Sequence, residues 1–213
     1  MSVIGINGSP RPNWNTAKLL AKALEGAASN GFQTELINLN KIKFSPCSSC
    51  LVCKKTRETE GRCHQVDELT PILEKLKKAD AIIFASPTYF GQMSGLFHTF
   101  FERAIFPLVS YRDFQSVLGR KIKTGMIFNC GADQQEAKEY GYDKFWEKTA
   151  NEISSAFNEK CELLTVCDTM EVQDYSKYQM QCYDAPAKEK HRDEEFPKEL
   201  QAAYELGKKI TTK

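Results

Sequence analysis

The chain has 213 residues, of which 41% are hydrophobic, and its 29 Lys and Arg against 28 Asp and Glu give a formal net charge of +1. A chain of this length can bury a full core, which excludes a wholly disordered protein, and its balanced charge argues against bulk binding to nucleic acid or to an anionic membrane. Because a secretory leader and an apolar run long enough for a membrane helix are both missing, we expect a cytoplasmic protein.

Strands and helices are predicted to alternate along the chain. Five short segments have the apolar or alternating pattern of strands: residues 2–7, 32–39, 81–85, 123–129 and 161–166. Five segments repeat apolar residues at helical spacing: residues 15–30, 66–78, 96–105, 142–157 and 196–210. This alternation predicts an α/β fold, a doubly wound parallel sheet of five strands with helices on both faces. Five parallel strands of this kind fit the flavodoxin-like strand order 2-1-3-4-5.

We expect one domain over residues 1–213. It would carry a cysteine-bearing loop at about 40–65 and a polar segment at about 168–195, which is either an ordered excursion or an arm for subunit contact. In such a sheet the ligand site lies beyond the carboxyl ends of the strands. The loops after strands one, three and four are therefore the candidate site.

The loop after strand one is suited to a phosphate group. Ser9, Asn15 and Thr16 can donate hydrogen bonds at a helix start, where the helix dipole favours an anion, and Arg11 adds a charged donor. The pattern is neither a P-loop nor a dinucleotide fingerprint, which leaves a mononucleotide phosphate. The alternative is a simple helix cap beside a proline-shaped turn.

Two of these loops together resemble the NADPH-dependent FMN reductase and iron-sulfur flavoprotein group of flavodoxin-like proteins. The resemblance covers about residues 1–131 and rests on Gly8-Ser9-Pro10-Arg11 with Asn15-Thr16, and on Ser86-Pro87-Thr88-Tyr89-Phe90-Gly91. It implies that the first set holds the phosphate of FMN and that residues 87–91 line its isoalloxazine ring. It also implies NAD(P)H as cosubstrate and a homodimer or homotetramer. Trp14 stands where this group usually has glycine.

The loops after strands three and four have the features that a flat, polar-edged ring needs. Pro87 stiffens the turn, Thr88 follows it, Tyr89 and Phe90 offer stacking area, and Gly91 permits close approach of the backbone. The alternative is an aromatic pair that caps the core. At the end of strand four, Asn129 and Gly131 are expected on the other side of the ring.

Four of the eight cysteines lie close together in the long loop after strand two. Cys47, Cys50, Cys53 and Cys63 have the spacing C-x2-C-x2-C-x9-C. The first three match the run that wraps an iron-sulfur cluster, but the last gap is longer. Three interpretations stay open: a [4Fe-4S] cluster, free thiols without metal, and zinc. The other four cysteines have no ligand spacing.

The sequence therefore predicts an FMN-binding oxidoreductase that moves electrons from NAD(P)H or a reduced carrier to a small-molecule or protein acceptor. The alternatives are an iron-sulfur flavoprotein that only relays electrons between redox proteins, and a related fold that has lost its cofactor. No catalytic side chain is assigned, because the flavin carries the chemistry. The three histidines, His64, His98 and His191, are interpreted as structural or surface residues.

Overall fold

The computed structural model describes residues 1–212, along which five long strands alternate with helices. The strands are β1 (Ser2–Asn7), β2 (Gln33–Asn38), β3 (Ala81–Tyr89), β4 (Lys123–Asn129) and β5 (Cys161–Val166). The helices are α1 (Asn15–Ser29), α2 (Thr70–Leu76), α3 (Gly95–Ile105), α4 (Gln134–Glu139), α5 (Tyr142–Phe157), α6 (Ala185–Glu194) and α7 (Phe196–Thr211).

The five strands form one parallel sheet in the order β2-β1-β3-β4-β5, so the predicted flavodoxin-like topology is confirmed. One feature was not predicted: β3 runs on to Tyr89, and a two-residue strand, Gln92–Met93, folds back on it in antiparallel pairing. This hairpin stands at the carboxyl edge of the sheet. It therefore lies where a ligand site of this fold is expected.

Helices cover both faces of the sheet. Neighbouring residues of β3 alternate between the two cores: Ile82 and Phe84 pack with α2, α3 and α5, whereas Ile83 and Ala85 pack with α1 and α7. This explains why β3 is a continuous apolar run without alternation. No helix within residues 1–212 is both long enough and apolar enough to cross a membrane.

Helix α2 starts later than its apolar pattern suggested. Val66 was expected on its buried face, but Val66 is 90% exposed and the helix begins at Thr70. The Asp67 carboxylate accepts a hydrogen bond from the backbone N–H of Leu69 at 3.1 Å, which makes a turn instead of a helix. Pro71 then occupies the first helical turn, where proline is tolerated.

The segment 168–195 is ordered and contains a helix that the sequence did not predict. Helix α6 buries only Lys188, so it lacks the apolar stripe by which helices are found. Its local signals are an Asp184 side chain that accepts from the N–H of Ala187, and Pro186 in the first turn. Helix α4 has only six residues and buries only Ala137, so it lacks an apolar stripe as well and was not predicted.

Helices α1 and α7 touch through their backbones at two glycines. A Cβ added at Gly207 would lie 1.8 Å from the carbonyl oxygen of Ala23, and one added at Gly26 would lie 1.9 Å from that of Tyr204. The Gly207→Ala variant is therefore expected to lose about 1–3 kcal/mol of unfolding free energy, since the helices must move apart. Denaturant unfolding measures this loss.

The matched control is Gly95→Ala in α3, because a Cβ there meets no atom within 4 Å. The control is expected to be at least as stable as the parent protein, because alanine is the better helix former. Equal stability of the two variants would contradict the close contact between α1 and α7.

Candidate functional site

The loop after β1 leads into a buried helix start that has no capping side chain. Helix α1 begins after Trp14, and none of the side chains in residues 1–212 caps its first turn. Ser9, Asn15 and Thr16 are all buried there. The first N–H groups of a helix have no partner within the helix, so a buried start without a cap leaves donors in need of an acceptor. Such a place favours a bound anion.

The same loop is fixed from two sides. The Ser9 N–H donates to Asn7 Oδ1 at 3.0 Å, and the Arg11 N–H donates to Ser9 Oγ at 3.1 Å. The Ser94 hydroxyl, at the start of α3, donates to the carbonyl of Gly8 at 2.6 Å. Because Ser9 Oγ is an acceptor in this network, its proton stays available for a ligand.

The segment after β5 covers this loop, a contact that no local sequence pattern predicts. The carbonyl of Met170 accepts from Trp14 Nε1 at 3.1 Å and from Asn15 Nδ2 at 2.8 Å. The Arg11 guanidinium donates to the Glu171 carbonyl at 2.5 Å and lies 3.5 Å from its carboxylate. One signal was present in the sequence: parallel strands end at the same edge, so residues after the fifth strand also reach the site.

The hairpin at the end of β3 holds an aromatic side chain out from the sheet. Phe90 and Gly91 have φ angles of +51° and +73°, and Tyr89 pairs with Gln92 across them. Two positive φ values in a two-residue loop define a type I′ turn. Phe90 is fully exposed, and a bulky residue seldom takes this backbone conformation. Such strain is typical of functional positions.

The side chains of Thr88 and Asn129 are hydrogen-bonded to other side chains of the protein. Thr88 Oγ1 accepts from Trp146 Nε1 at 3.0 Å, and Asn129 Oδ1 accepts from Thr16 Oγ1 at 2.6 Å. These two residues therefore offer mainly their backbone to a ligand, and Asn129 also ties β4 to the start of α1. At Gly131 a Cβ would lie 2.2 Å from Glu171 Oε1, so only glycine leaves room for that carboxylate.

These segments surround a cleft of about 740 Å³, within the usual range for a ligand pocket. Thr88, Tyr89, Phe90 and Gly131 line it. A neighbouring cavity of about 10 Å³ is also lined by Thr88 and Tyr89. All the other predicted site residues except Gly91 line this smaller cavity: Ser9, Arg11, Asn15, Thr16, Pro87 and Asn129. The structure thus brings the residues of the three predicted loops together.

Two further polar side chains reach the cleft from the segment after β5. Lys188 is buried and donates to the Gly131 carbonyl and to the Asp168 carboxylate. Burial, followed by the nearby charge of Glu171, raises the pKa of Tyr183 to about 12. Tyr183 therefore keeps its proton at neutral pH and can act as a hydrogen-bond donor.

The cysteine loop forms a second, separate cluster at the far end of α3. Its four cysteines, Cys47, Cys50, Cys53 and Cys63, line one cavity of about 10 Å³. Arg103 Nε lies 3.4 Å from Cys63 Sγ, and burial raises the pKa of Cys53 despite the nearby charge of Lys54. No group of three or more His, Cys, Asp or Glu side chains in residues 1–212 is arranged to hold a metal ion. Four thiols are the right donors for a cluster, but the cavity has room for about one water.

Comparison with known proteins gives one family match. The family described as NADPH-dependent FMN reductase matches residues 1–140. An iron-sulfur flavoprotein of Methanocaldococcus jannaschii is 38% identical over 62% of this chain and 66% of its own length. An iron-sulfur flavoprotein of Methanosarcina thermophila is 30% identical over 65% of this chain and 68% of its own length. The chain thus matches about two thirds of the length of these relatives.

Solved structures share the fold over nearly the whole chain. An NAD(P)H:quinone oxidoreductase from Methanothermobacter marburgensis superposes with a TM-score of 0.70, 14% identity and coverage of 100% of this chain and 98% of its own. An FMN-dependent NADH-azoreductase from Bacillus anthracis, solved in complex with FMN, superposes with a TM-score of 0.68, 13% identity and coverage of 99% of both chains. At these identities the likeness establishes the fold alone.

Proposed function

Because the chain belongs to the NADPH-dependent FMN reductase family, we propose that it is an oxidoreductase that binds FMN and passes electrons from NAD(P)H to a small-molecule acceptor. The observation that carries the proposal is the buried, uncapped start of α1, which adjoins the cleft at the carboxyl edge of the sheet. This arrangement would place an anion at the helix start and a flat ring in the adjoining cleft. A mononucleotide with a flat ring requires that combination.

The phosphate of FMN would be held at the start of α1. The donors available there would be the Ser9 hydroxyl, the first N–H groups of α1 and the Arg11 guanidinium, which in the structure is bonded to Glu171. The amide of Asn15 and the hydroxyl of Thr16 are already bonded to Met170 and Asn129. We therefore assign these two side chains to positioning the helix start, and their backbone N–H groups to the phosphate.

The ring would lie in the cleft between the β3 hairpin and the end of β4. Residues 87–91 would line one side, with Phe90 held out by the type I′ turn, and Gly131 would line the other. Bound FMN supplies hydride and electron transfer. Buried Lys188 places a positive charge beside this cleft, and Tyr183 places a neutral donor there. Tyr183 would stabilise negative charge on a reduced ring, whereas the charge of Lys188 is offset by its ion pair with Asp168.

Glu171 is expected to compete with the phosphate for Arg11. Its carboxylate lies 3.5 Å from the guanidinium and is only 26% exposed. The Glu171→Gln variant removes this charge and keeps the shape, so it should bind FMN about two- to fivefold more tightly, which is the worth of a partly exposed ion pair. Quenching of FMN fluorescence during titration measures the dissociation constant.

Glu162→Gln is the matched control, because it removes a carboxylate of similar exposure that pairs with Lys209 instead. FMN affinity should not change in this variant. Weaker binding in Glu171→Gln would show that Glu171 supports the phosphate loop and does not compete with its ligand.

The reaction is tested with protein that has been loaded with FMN and freed of oxygen. Addition of NADPH or NADH is expected to bleach the visible flavin absorption, and a quinone should restore it through repeated cycles. A protein that takes up FMN but is not reduced by either nicotinamide would contradict the proposed electron donor and favour a carrier that receives electrons from another protein.

A second candidate function is electron transfer through a cluster as well as a flavin. It is favoured by the four cysteines that line one cavity, beside the cations of Arg103 and Lys54, and relatives of this chain are named iron-sulfur flavoproteins. The loop would have to open to admit a cluster. Iron and acid-labile sulfide are measured after anaerobic purification. Four of each per chain would support this candidate, and zinc or no metal would exclude it.

We also propose that the chain self-associates as a homodimer or homotetramer through the surface beside the cleft. Phe90 is fully exposed there, whereas Phe97 and Phe100 of α3 belong to the core. Light scattering should give an assembly that Phe90→Ala weakens. A monomer at all concentrations would exclude self-association.

A further inference from the structure

Two cysteines that the proposed function does not use stand opposite each other at the edge of the cleft. Cys130 follows β4 directly, and Cys167 follows β5 directly. The Cys130 N–H donates to the carbonyl of Val166 at 3.0 Å, and the N–H of Thr169 donates to the Cys130 carbonyl at 3.0 Å. Two residues, Cys167 and Asp168, therefore lie opposite Cys130, between the two residues to which its backbone is bonded. The ladder therefore continues past both strands with one extra residue, Asp168, whose φ is +59°.

This placement suits a bond between the two sulfur atoms. Adjacent strands lie about 4.7–4.9 Å apart, and disulfides form at Cα separations of about 4.4–6.8 Å. Both side chains point to the same face of the sheet, where they pack against one core cluster. The Cys130 thiol donates to the carbonyl of Ala132 at 3.4 Å. Both are free thiols in the structure.

The two thiols have different surroundings. Cys130 is buried at 4% exposure and lines the cleft, whereas Cys167 is half-buried. The neighbouring Cys130 thiol lowers the pKa of Cys167, and the Cys167 thiol together with burial raises the pKa of Cys130. A thiolate is the attacking species in thiol–disulfide exchange. Cys167 is thus the nucleophile of the pair, and Cys130 is the resolving thiol.

We propose that Cys130 and Cys167 form a reversible disulfide at the edge of the cleft, by exchange with low-molecular-weight disulfides. The Cys167 thiolate attacks one sulfur of the small disulfide, forms a mixed disulfide and releases one thiol. Cys130 then loses its proton and attacks Cys167 Sγ, which closes the protein disulfide and releases the second thiol. The small disulfide gains two electrons and two protons, and the cysteine pair loses them. This thiol chemistry needs no flavin, so it stands apart from the proposed function.

The test equilibrates the full-length protein with glutathione disulfide without oxygen, blocks free thiols and analyses tryptic peptides by mass spectrometry. The expected product joins peptide 124–138, which contains Cys130, to peptide 161–177, which contains Cys167 and Cys161. Reduced glutathione in excess should reverse it. Cys130 and Cys167 both remaining free would overturn the proposal.

Three variants assign the roles. Cys161→Ala is the matched control, since Cys161 is buried at the other end of β5 opposite Thr124, and the cross-linked product should persist in it. Cys130→Ser should accumulate a glutathione adduct on Cys167, and Cys167→Ser should form neither cross-link nor adduct on Cys130. A cross-link lost in Cys161→Ala would overturn the pairing, and an adduct on Cys130 in Cys167→Ser would overturn the assignment of the nucleophile.

Discussion

The Arg11→Glu variant is expected to bind FMN at least about tenfold more weakly and to bind riboflavin as the parent protein does. A hydrogen bond to a charged group contributes about 1.5–3 kcal/mol, which corresponds to about ten- to a hundredfold in affinity, and reversal of the charge adds repulsion. The Arg11 side chain is 43% exposed, so the fold should tolerate the change. Riboflavin lacks the phosphate and therefore reports on the ring site alone.

Lys75→Glu is the control for net charge, because Lys75 pairs with Glu35 and has a similar exposure of 49%. Its affinity for FMN should stay within about twofold of the parent value, since salt screens charges that lie far apart on the surface. If Arg11→Glu weakens FMN and riboflavin equally, Arg11 acts on the ring or on the fold and not on the phosphate.

The Arg103→Met variant is expected to lose about 3–5 kcal/mol of unfolding free energy, the cost of removing one partner from a buried ion pair. Arg103 is 1% exposed, the most buried charged side chain in residues 1–212. Its guanidinium donates to both carboxylate oxygens of Asp67 and to the carbonyls of Ser45 and Gln65, at 3.1 and 3.2 Å for the carbonyls. The Arg103 side chain thus links both ends of the cysteine loop to α3 through hydrogen bonds.

The partner variant Asp67→Asn adds a pH dependence. Burial works to raise the pKa of Asp67, but hydrogen bonds from Arg103 and from backbone N–H groups outweigh it, so the pKa of Asp67 is lowered. A carboxyl group with a lowered pKa stabilises the fold above its unfolded pKa of about 3.9, and the stabilisation is lost as the pH falls through the folded value.

Denaturant unfolding of the parent protein and Asp67→Asn should therefore differ most near neutral pH, and the difference should shrink below about pH 4. Lys121 and Glu159 form an exposed pair at 3.7 Å, and Glu159→Gln serves as the control with little effect at any pH. A difference that is constant from neutral to acid pH would show that the ionised form of Asp67 is not what stabilises the loop.

The sheet, the loop after β1 and the loop after β3 could be predicted because the sequence patterns that indicate them lie within short stretches of the chain. The apolar runs of β3 and β4 and the helical spacing of α1 and α5 come from burial on one or two faces, and burial leaves a pattern in the sequence. Residues 8–16 and 86–91 could be proposed from the sequence because a phosphate site and a ring site would each need particular residue types in a short stretch.

The contacts that complete the site could not be predicted because they join distant parts of the chain. Glu171 meets Arg11 across 160 residues, and Arg103 meets Asp67 across 36. No periodicity marks a carboxylate that pairs with a remote guanidinium. The register that sets Cys130 opposite Cys167 likewise joins two distant strands and follows only from the folded sheet.

The central claim is that the start of α1 and the adjoining cleft bind FMN through its phosphate. The most direct measurement is titration of flavin-free protein with FMN and with riboflavin, with the bound flavin counted per chain. We predict one FMN per chain and an affinity for riboflavin that is at least about tenfold lower, because the charge-assisted bonds to the phosphate are lost. Failure to bind FMN, or equal affinity for both flavins, would contradict the claim.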